Sequence, residues 1–151
     1  AKFIGQWYNA TEVCTAQTCR IEPPAIRNGA YTWWMAGWGP GGRGEYNNVP
    51  FTVDENPPAT VQMLSPAGDV PAGNITLTWA VDPQAAWYRV YMVIPGADPY
   101  SRWYHHDDNC TDETCSVTLT LPPGNLTWWS VAWGPGGMGQ WTSRTLTVST
   151  P

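Results

Sequence analysis

The four cysteines of this 151-residue chain occur in two identical patterns, each with four residues between the cysteines. This spacing is typical of a short loop closed by a disulfide, so we expect the pairs Cys14–Cys19 and Cys110–Cys115. A metal site is the competing interpretation, but two residues usually separate zinc ligands and no histidine accompanies the first pair. Disulfides persist in oxidising compartments, so the cysteines predict an extracellular or cell-surface protein.

Side chains suited to catalysis or metal binding are concentrated in the run His105-His106-Asp107-Asp108. On a strand the two histidines would point to opposite faces, where one metal ion could not easily bind both. Carboxylates near the second cysteine pair could hold Ca²⁺ with loop carbonyls, and they belong to Asp107, Asp108, Asp112 and Glu113. The first pair follows Asn9-Ala10-Thr11-Glu12 instead, so we interpret the run as a solvated acidic loop.

Motifs for nucleophilic or nucleotide chemistry are absent from the sequence. It contains no Gly-x-Ser-x-Gly. A glycine-rich nucleotide site must lead into a helix, but the Gly-Pro-Gly-Gly-x-Gly strings follow a predicted strand and open no helix. We therefore expect no catalytic residues, no cofactor and no bound metal, and we expect that the protein is not an enzyme.

Four Asn-x-Thr triplets are candidate N-glycosylation sites in a secreted protein of a glycosylating host. They begin at Asn9, Asn74, Asn109 and Asn125. A threonine-rich chain produces such triplets by chance, so they support the extracellular assignment without carrying it.

Aromatic residues define a repeat. The string WWMAGWGPGGRGEY at Trp33–Tyr46 returns as WWSVAWGPGGMGQW at Trp128–Trp141, and the match extends back to Gln6–Cys19 and Arg102–Cys115. The offset is 96 residues between the cysteines and 95 between the Trp-Trp pairs. A fixed offset of this kind indicates an internal repeat about the size of a small sandwich domain.

The two repeats are unequal, because the segment Val61–Ile94 precedes the second and has no counterpart before the first. We divide the chain into a first repeat, residues 1–56, and a second repeat, residues 57–151. The linker is at Asn56-Pro57-Pro58, since consecutive prolines favour an extended spacer. We expect the first repeat to be the C-terminal half of a domain and the second repeat to be complete.

Short apolar alternations predict strands rather than helices. Ile75, Leu77 and Trp79 alternate with Thr76 and Thr78, and similar alternations recur between turns rich in glycine and proline. This pattern favours an all-β, antiparallel β-sandwich.

The same alternation assigns the aromatic side chains of the second repeat to two faces. Trp128 shares the phase of the apolar Leu126 and is predicted to be inside, which leaves Trp129 and Trp133 on the outer face. On the neighbouring strand, Trp87, Arg89 and Tyr91 would share that outer face.

Several short motifs, all in the right order, resemble a fibronectin type III domain over about Pro58–Pro151. They are Ser65-Pro66, Leu77-Thr78-Trp79, Trp87-Tyr88-Arg89-Val90-Tyr91, Leu121-Pro122-Pro123-Gly124 and the run from Ala132 to Trp141. The resemblance implies an Ig-like sandwich in which strands A, B and E face strands C′, C, F and G. Two features depart from the family: the tyrosine-corner position holds Leu126, although Tyr31 fills it in the first repeat, and the cysteine loop is not a general family feature.

In this topology the first repeat supplies strand C′ around Phe3–Tyr8, strand E around Arg20–Glu22, and strands F and G, but it lacks A, B and C. Its core side chains Tyr31, Trp33 and Met35 would then have no facing layer. Its sheet would also have open edges, which are templates for pairing with another chain.

The outer aromatic face has three interpretations. Arg89 lies between tryptophans in a local cation–π stack, or the face is a protein interface, or flat indole rings form a carbohydrate platform. The residues of this face in both repeats are Trp34, Trp38, Trp87, Arg89, Tyr91, Trp129 and Trp133.

Composition narrows the function further. The chain is acidic, with a net charge of −5, and lacks the basic face that nucleic acid requires. No apolar run approaches the length of a membrane span, and we expect any signal peptide to be removed or to lie outside this sequence. The sequence favours an extracellular structural protein, a repeat subunit of a surface array or filament. The missing strands would come either from a covalently preceding stretch or from a neighbour by β-strand complementation. Copies of itself would be its partners, through such complementation and through aromatic faces. The alternative is a carbohydrate-binding or adhesion module that uses exposed tryptophans to bind glycans.

Overall fold

A computed structural model describes residues 4–151. The described part of the first repeat contains the short helix α1 (Ala10–Val13) and four strands: β1 (Gly29–Met35), β2 (Trp38–Gly39), β3 (Gly42–Arg43) and β4 (Asn47–Val53). The second repeat begins with β5 (Met63–Ser65), β6 (Gly68–Pro71), β7 (Gly73–Ala80), β8 (Trp87–Val93) and β9 (Tyr100–His105). It continues with the helix α2 (His106–Asn109), then β10 (Thr114–Leu121), β11 (Gly124–Gly134), β12 (Gly137–Met138) and β13 (Thr142–Ser149).

The second repeat is a two-layer β-sandwich. One sheet has the strand order β10-β7-β5, and the other has the order β6-β13-β11-β8-β9, with β12 pairing β11. The strand pairs are antiparallel apart from β6 with β13, which is parallel. The predicted all-β, fibronectin III/Ig-like sandwich is thereby confirmed, because each alternating segment supplies one apolar face to the space between the sheets.

The core of this sandwich contains an aromatic cluster. Trp79 on one sheet packs against Tyr88 and Trp128 on the other, with ring centroids 5.5 and 6.5 Å apart. Trp79 and Trp128 are fully buried, whereas Trp129, the next residue, is 38% exposed. The alternation along β11 therefore determines which tryptophan faces inward, as predicted from the sequence. Burial also raises the pKa of Tyr88, whose hydroxyl oxygen accepts a hydrogen bond from Asp82 N at 2.9 Å.

The first repeat contains much less sheet. β1 pairs only with β4, in the register Gly29↔Val53 to Met35↔Asn47, and β2 pairs with β3. Among residues 4–56 no second layer faces the β1–β4 hairpin.

Two strands predicted for the first repeat are wrong. Ile4–Tyr8 and Arg20–Glu22 have irregular structure, and Phe3 lies outside the described residues. Their counterparts in the second repeat, β9 and β10, pair with β8 and β7 respectively. Both partner strands belong to the segment that the first repeat lacks. A strand without a partner leaves its backbone groups unpaired, so these stretches have no sheet to join.

Tyr31 makes a hydrogen bond of the tyrosine-corner type in the first repeat. Its hydroxyl donates to the carbonyl oxygen of Arg27, four residues earlier, at 2.7 Å. Leu126, at the corresponding position of the second repeat, is almost fully buried instead. The hydrogen bond thus stabilises the entry to β1 where no opposite sheet is present, and apolar burial takes its place where that sheet exists.

Asn28 joins the two repeats. Its backbone N–H donates to Pro135 O at 2.9 Å, in the hairpin that follows β11. Its side chain exchanges two hydrogen bonds with the backbone of Glu55, at 2.9 and 3.0 Å. Asn28 therefore connects Glu55, the residue before the linker, with the hairpin of the second repeat.

Candidate assembly surfaces

The two cysteine loops close on themselves, as predicted. Cys14 is bonded to Cys19 and Cys110 to Cys115, and no free cysteine remains in the described chain. In both loops a four-residue helix precedes the first cysteine, and a backbone hydrogen bond of 2.7 Å spans the turn, Thr15 N to Thr18 O and Thr111 N to Thr114 O. The loop therefore has the same local structure with the sandwich and without it.

The two histidines lie on different elements rather than on one strand. His105 ends β9, and its Nδ1 accepts a hydrogen bond from Asp107 N at 3.2 Å, whereas His106 begins α2. One ring nitrogen of His106 lies within 4.8 Å of both sulfurs of the second disulfide. Because those sulfurs are bonded to each other, they offer no thiolate to a metal ion.

The outer face of the second repeat contains the side chains that strand alternation assigned to it. Across β11 and β8, Trp129 lies opposite Tyr91, and Trp133 lies opposite Trp87. Trp87 and Trp129 are each 38% exposed, and Trp133 is half-buried. The Trp87 ring meets the edge of the His105 ring at a centroid distance of 4.6 Å. These side chains form a continuous aromatic strip on the outside of the sheet.

Arg89 is stacked between two tryptophans in this strip. Its guanidinium carbon lies 5.9 Å from the centroid of Trp103 and 5.8 Å from that of Trp141. Its Nε and one terminal nitrogen also donate to Ser101 Oγ, at 3.0 and 2.9 Å. Three side chains therefore hold the guanidinium, which makes the local cation–π stack a structural feature of this repeat.

Sequence reasoning missed the two tryptophans that hold Arg89. The signal was present in the repeat, since Trp103 aligns with Trp7 and Trp141 with Tyr46. An aromatic is therefore kept at both positions. The contact between Trp103 and Arg89 follows from the β8–β9 register, which places the two residues opposite each other.

The described part of the first repeat has the outer tryptophans but not the cation–π stack around an arginine. Trp34 and Trp38 are 59% and 69% exposed, because residues 4–56 contain no strand equivalent to β8 that brings an arginine beside them. The cation–π contact that does form here is local, between Arg43 and Tyr46, at 5.1 Å. The structure thus brings Trp87, Arg89, Tyr91, Trp129 and Trp133 together and leaves Trp34 and Trp38 apart from them.

The inner face of the β1–β4 hairpin differs most from its counterpart. Trp33 is 49% exposed, but the equivalent Trp128 is fully buried. Phe51 is 42% exposed, but the equivalent Leu146 is 2% exposed. Tyr31 stacks on Phe51 with ring centroids 5.7 Å apart, and Met35 is half exposed. The hairpin therefore presents to solvent the side chains that form one half of a sandwich core in the second repeat.

The candidate glycosylation sites differ in accessibility. Asn9, Asn74 and Asn125 are exposed, whereas Asn109 is half-buried and its Nδ2 donates to His105 O at 2.9 Å. None of the described helices has the length or apolar character that a transmembrane span needs.

Comparison with solved structures agrees with this architecture. The chain is similar to the fibronectin domains FN1–FN3 of chicken contactin, with a TM-score of 0.52, 9% identity and coverage of 85% of this chain and 44% of that chain. A two-domain fibronectin type III segment of chicken tenascin matches with a TM-score of 0.45 and 12% identity, over 79% of this chain and 65% of that one. The cell-surface chitinase ChiW of a Paenibacillus strain matches with a TM-score of 0.49 and 11% identity, over 64% of this chain and 9% of that one.

The chain spans less than two thirds of the length of each of these three proteins. No protein family model matches the sequence, and no curated protein matches it either. The likeness to contactin establishes the fold alone, which is a fibronectin type III-like β-sandwich.

Proposed function

We propose that this chain is an extracellular structural protein, a repeat subunit of a surface array or filament. In such an assembly the first repeat would complete its sandwich by β-strand complementation from a neighbouring subunit. The observation that carries the proposal is the contrast between Trp33, half exposed, and its equivalent Trp128, fully buried. An exposed apolar face of this kind on a hairpin would be stabilised by packing against a second sheet.

The energetics favour such a partner. Covering the half-exposed Trp33, Phe51 and Met35 would contribute roughly 1 kcal/mol for each side chain. The free edge of β1 adds backbone hydrogen bonds, because β11 pairs with β8 over seven residues at the equivalent edge. A two-stranded hairpin is marginal in water by itself, so a donated sheet would stabilise the whole first repeat.

Two further observations support the extracellular setting and the absence of catalysis. Both cysteine pairs are disulfides, which persist in oxidising compartments, and three of the four Asn-x-Thr sites are exposed. Two of the polar residues that could do chemistry have structural roles, because His105 caps α2 and Arg89 is stacked and hydrogen-bonded. The proposal therefore assigns the protein no reaction and no cofactor.

Addition of a synthetic peptide with the sequence of Val61–Ile94 tests the proposed complementation. We expect the amides of β1 to become protected from hydrogen exchange and tryptophan fluorescence to shift to shorter wavelength, since Trp33 leaves water. A peptide of the same composition in scrambled order is the control. Unchanged exchange in β1 at saturating peptide would contradict strand complementation.

A glycan-binding or adhesion module is the alternative, favoured by one observation. Arg89, Tyr91, Trp129 and Trp141 line a shallow depression of about 250 Å³ on the aromatic strip. Indole faces around a depression suit a sugar ring, but the Arg89 guanidinium is already engaged by Ser101 and two tryptophans.

The variant Trp129→Ala distinguishes self-assembly from glycan binding as the function of the outer face. If this face contributes to assembly, the variant should self-associate several-fold more weakly in sedimentation experiments while its β-sheet circular dichroism stays unchanged. Ser143→Ala, directly opposite Trp129 on β13, is the matched control. Loss of binding to a panel of glycans with unaltered self-association would instead support the glycan-binding module.

A further inference from the structure

Three positions of the second hairpin can hold only glycine, because neighbouring backbone atoms lie too close for a side chain. A Cβ on Gly134 would lie 1.8 Å from Gln84 O, one on Gly136 would lie 2.3 Å from the carbonyl carbon of Asn56, and one on Gly139 would lie 2.7 Å from Pro58 O. None of the three has the positive φ that favours glycine; in this hairpin only Gly137, at φ 113°, does. The chain passes so close to these positions that a side chain cannot fit.

The first hairpin keeps glycine at all three equivalent positions, where nothing in the described chain requires it. A Cβ on Gly39 or Gly41 would meet no atom within 4 Å, and one on Gly44 would make ordinary contact with Gly37 O at 3.6 Å. These glycines also lack the left-handed φ, which only Gly42 has in this hairpin. Glycine without such a need enlarges the conformational freedom of the unfolded chain and so lowers stability. Its use here is accounted for by a neighbour that the described chain does not supply.

The neighbours of these three glycines all lie within residues 55–85. Glu55 and Asn56 cover Gly136, Pro58 and Ala59 cover Gly139, and the connection between β7 and β8 covers Gly134. Pro58 is buried in this arrangement. The linker and the strands that follow it therefore reach the hairpin together, as one continuous segment. The described chain contains one segment of this kind, and the second repeat already uses it.

We infer that the hairpin Trp38–Gly44 is a docking site for the linker of a neighbouring subunit, an extended segment of the Glu55–Ala59 kind that leads into the donated strands. This inference rests on the proposed function and extends it, because the acceptor then includes the hairpin as well as the inner face of β1 and β4. Gly41 and Gly44 form the floor of the site, with a proline equivalent to Pro58 against Gly44, and Gly39 would face the connection between two donated strands.

The test compares two synthetic peptides on two forms of the full chain. One peptide spans Glu55–Ile94, and the other, Val61–Ile94, lacks the linker. We expect the longer peptide to bind the wild-type chain at least tenfold more tightly by titration calorimetry. Gly41→Ala should abolish this difference, since its Cβ would occupy the place of the linker backbone. The same variant without peptide should melt at the wild-type temperature or slightly above it, because that Cβ meets no atom in the free chain and alanine has less conformational freedom when unfolded.

The outcomes separate the inference from the proposed function. Equal affinity of the two peptides, or a Gly41→Ala variant that still distinguishes them, would overturn the docking site and leave strand complementation intact. Failure of both peptides to bind would overturn both. A lower melting temperature of the free Gly41→Ala chain would also overturn the inference, because glycine would then be required within the first repeat itself.

Discussion

Trp128→Ala is expected to destabilise the second repeat by about 3–5 kcal/mol, whereas the same change at the equivalent Trp33 should leave the stability of the chain almost unchanged. Trp128 is fully buried and packs on Trp79, so its removal leaves a large cavity between the sheets. Trp33 is half exposed on a hairpin that no second layer faces in the described part of the chain, and its removal creates no cavity. The two residues occupy the same position of the repeat, so each is the control for the other.

Thermal melts of the two variants, followed by near-ultraviolet circular dichroism, measure the contrast. A loss of this size would lower the melting temperature of the second repeat by on the order of 20 °C. If the Val61–Ile94 peptide is present, Trp33→Ala should also become costly, because Trp33 is then part of a core. Equal destabilisation by both changes in the free chain would mean that the first repeat already has a closed core, and the complementation proposal would lose its basis.

Separating the repeats should have an equally large effect on the first one. Residues 57–151 contain every strand of the sandwich and are expected to unfold cooperatively as a monomer. Residues 1–56 contain the β1–β4 hairpin, the β2–β3 hairpin and one disulfide loop, which bury too little apolar surface to offset the entropy of ordering the chain. We expect this fragment to be disordered or to aggregate, although Cys14 and Cys19 still pair.

Two-dimensional NMR spectra of the fragments distinguish these states. The spectrum of residues 57–151 should be dispersed, and that of residues 1–56 should be collapsed until the Val61–Ile94 peptide is added. A dispersed spectrum and a cooperative melt of residues 1–56 without peptide would show that the first repeat is a closed unit of its own.

The aromatic pattern could be assigned from the sequence because strand periodicity is local. Alternation along β11 placed Trp128 inside and Trp129 outside. The phase of β8 placed Arg89 on the outer face with Trp129. Trp103 and Trp141 were missed as partners of Arg89. Their contact depends on the β8–β9 register and on the path of the chain before β13, and neither is written in one strand alone.

The strands predicted around Phe3–Tyr8 and Arg20–Glu22 failed for a related reason. The resemblance between the repeats transferred the local sequence, including the cysteine loop, whose structure indeed recurs. It could not transfer β7 and β8, the partners that make strands of β9 and β10 in the second repeat. Local sequence is sufficient for a six-residue disulfide loop, but a strand needs its neighbour.

The sequence by itself determined the features that depend on short-range chemistry. Cysteine spacing determined the two disulfides, and alternation with glycine- and proline-rich turns determined the all-β sandwich and the inward tryptophan. Only the tertiary structure decided which surfaces remain uncovered. Trp33 is exposed, and in the described chain Gly39, Gly41 and Gly44 lack the close neighbours of their equivalents, because the segment that covers those equivalents comes from far along the chain. Burial is a property of both contacting surfaces, so one of them alone cannot reveal it.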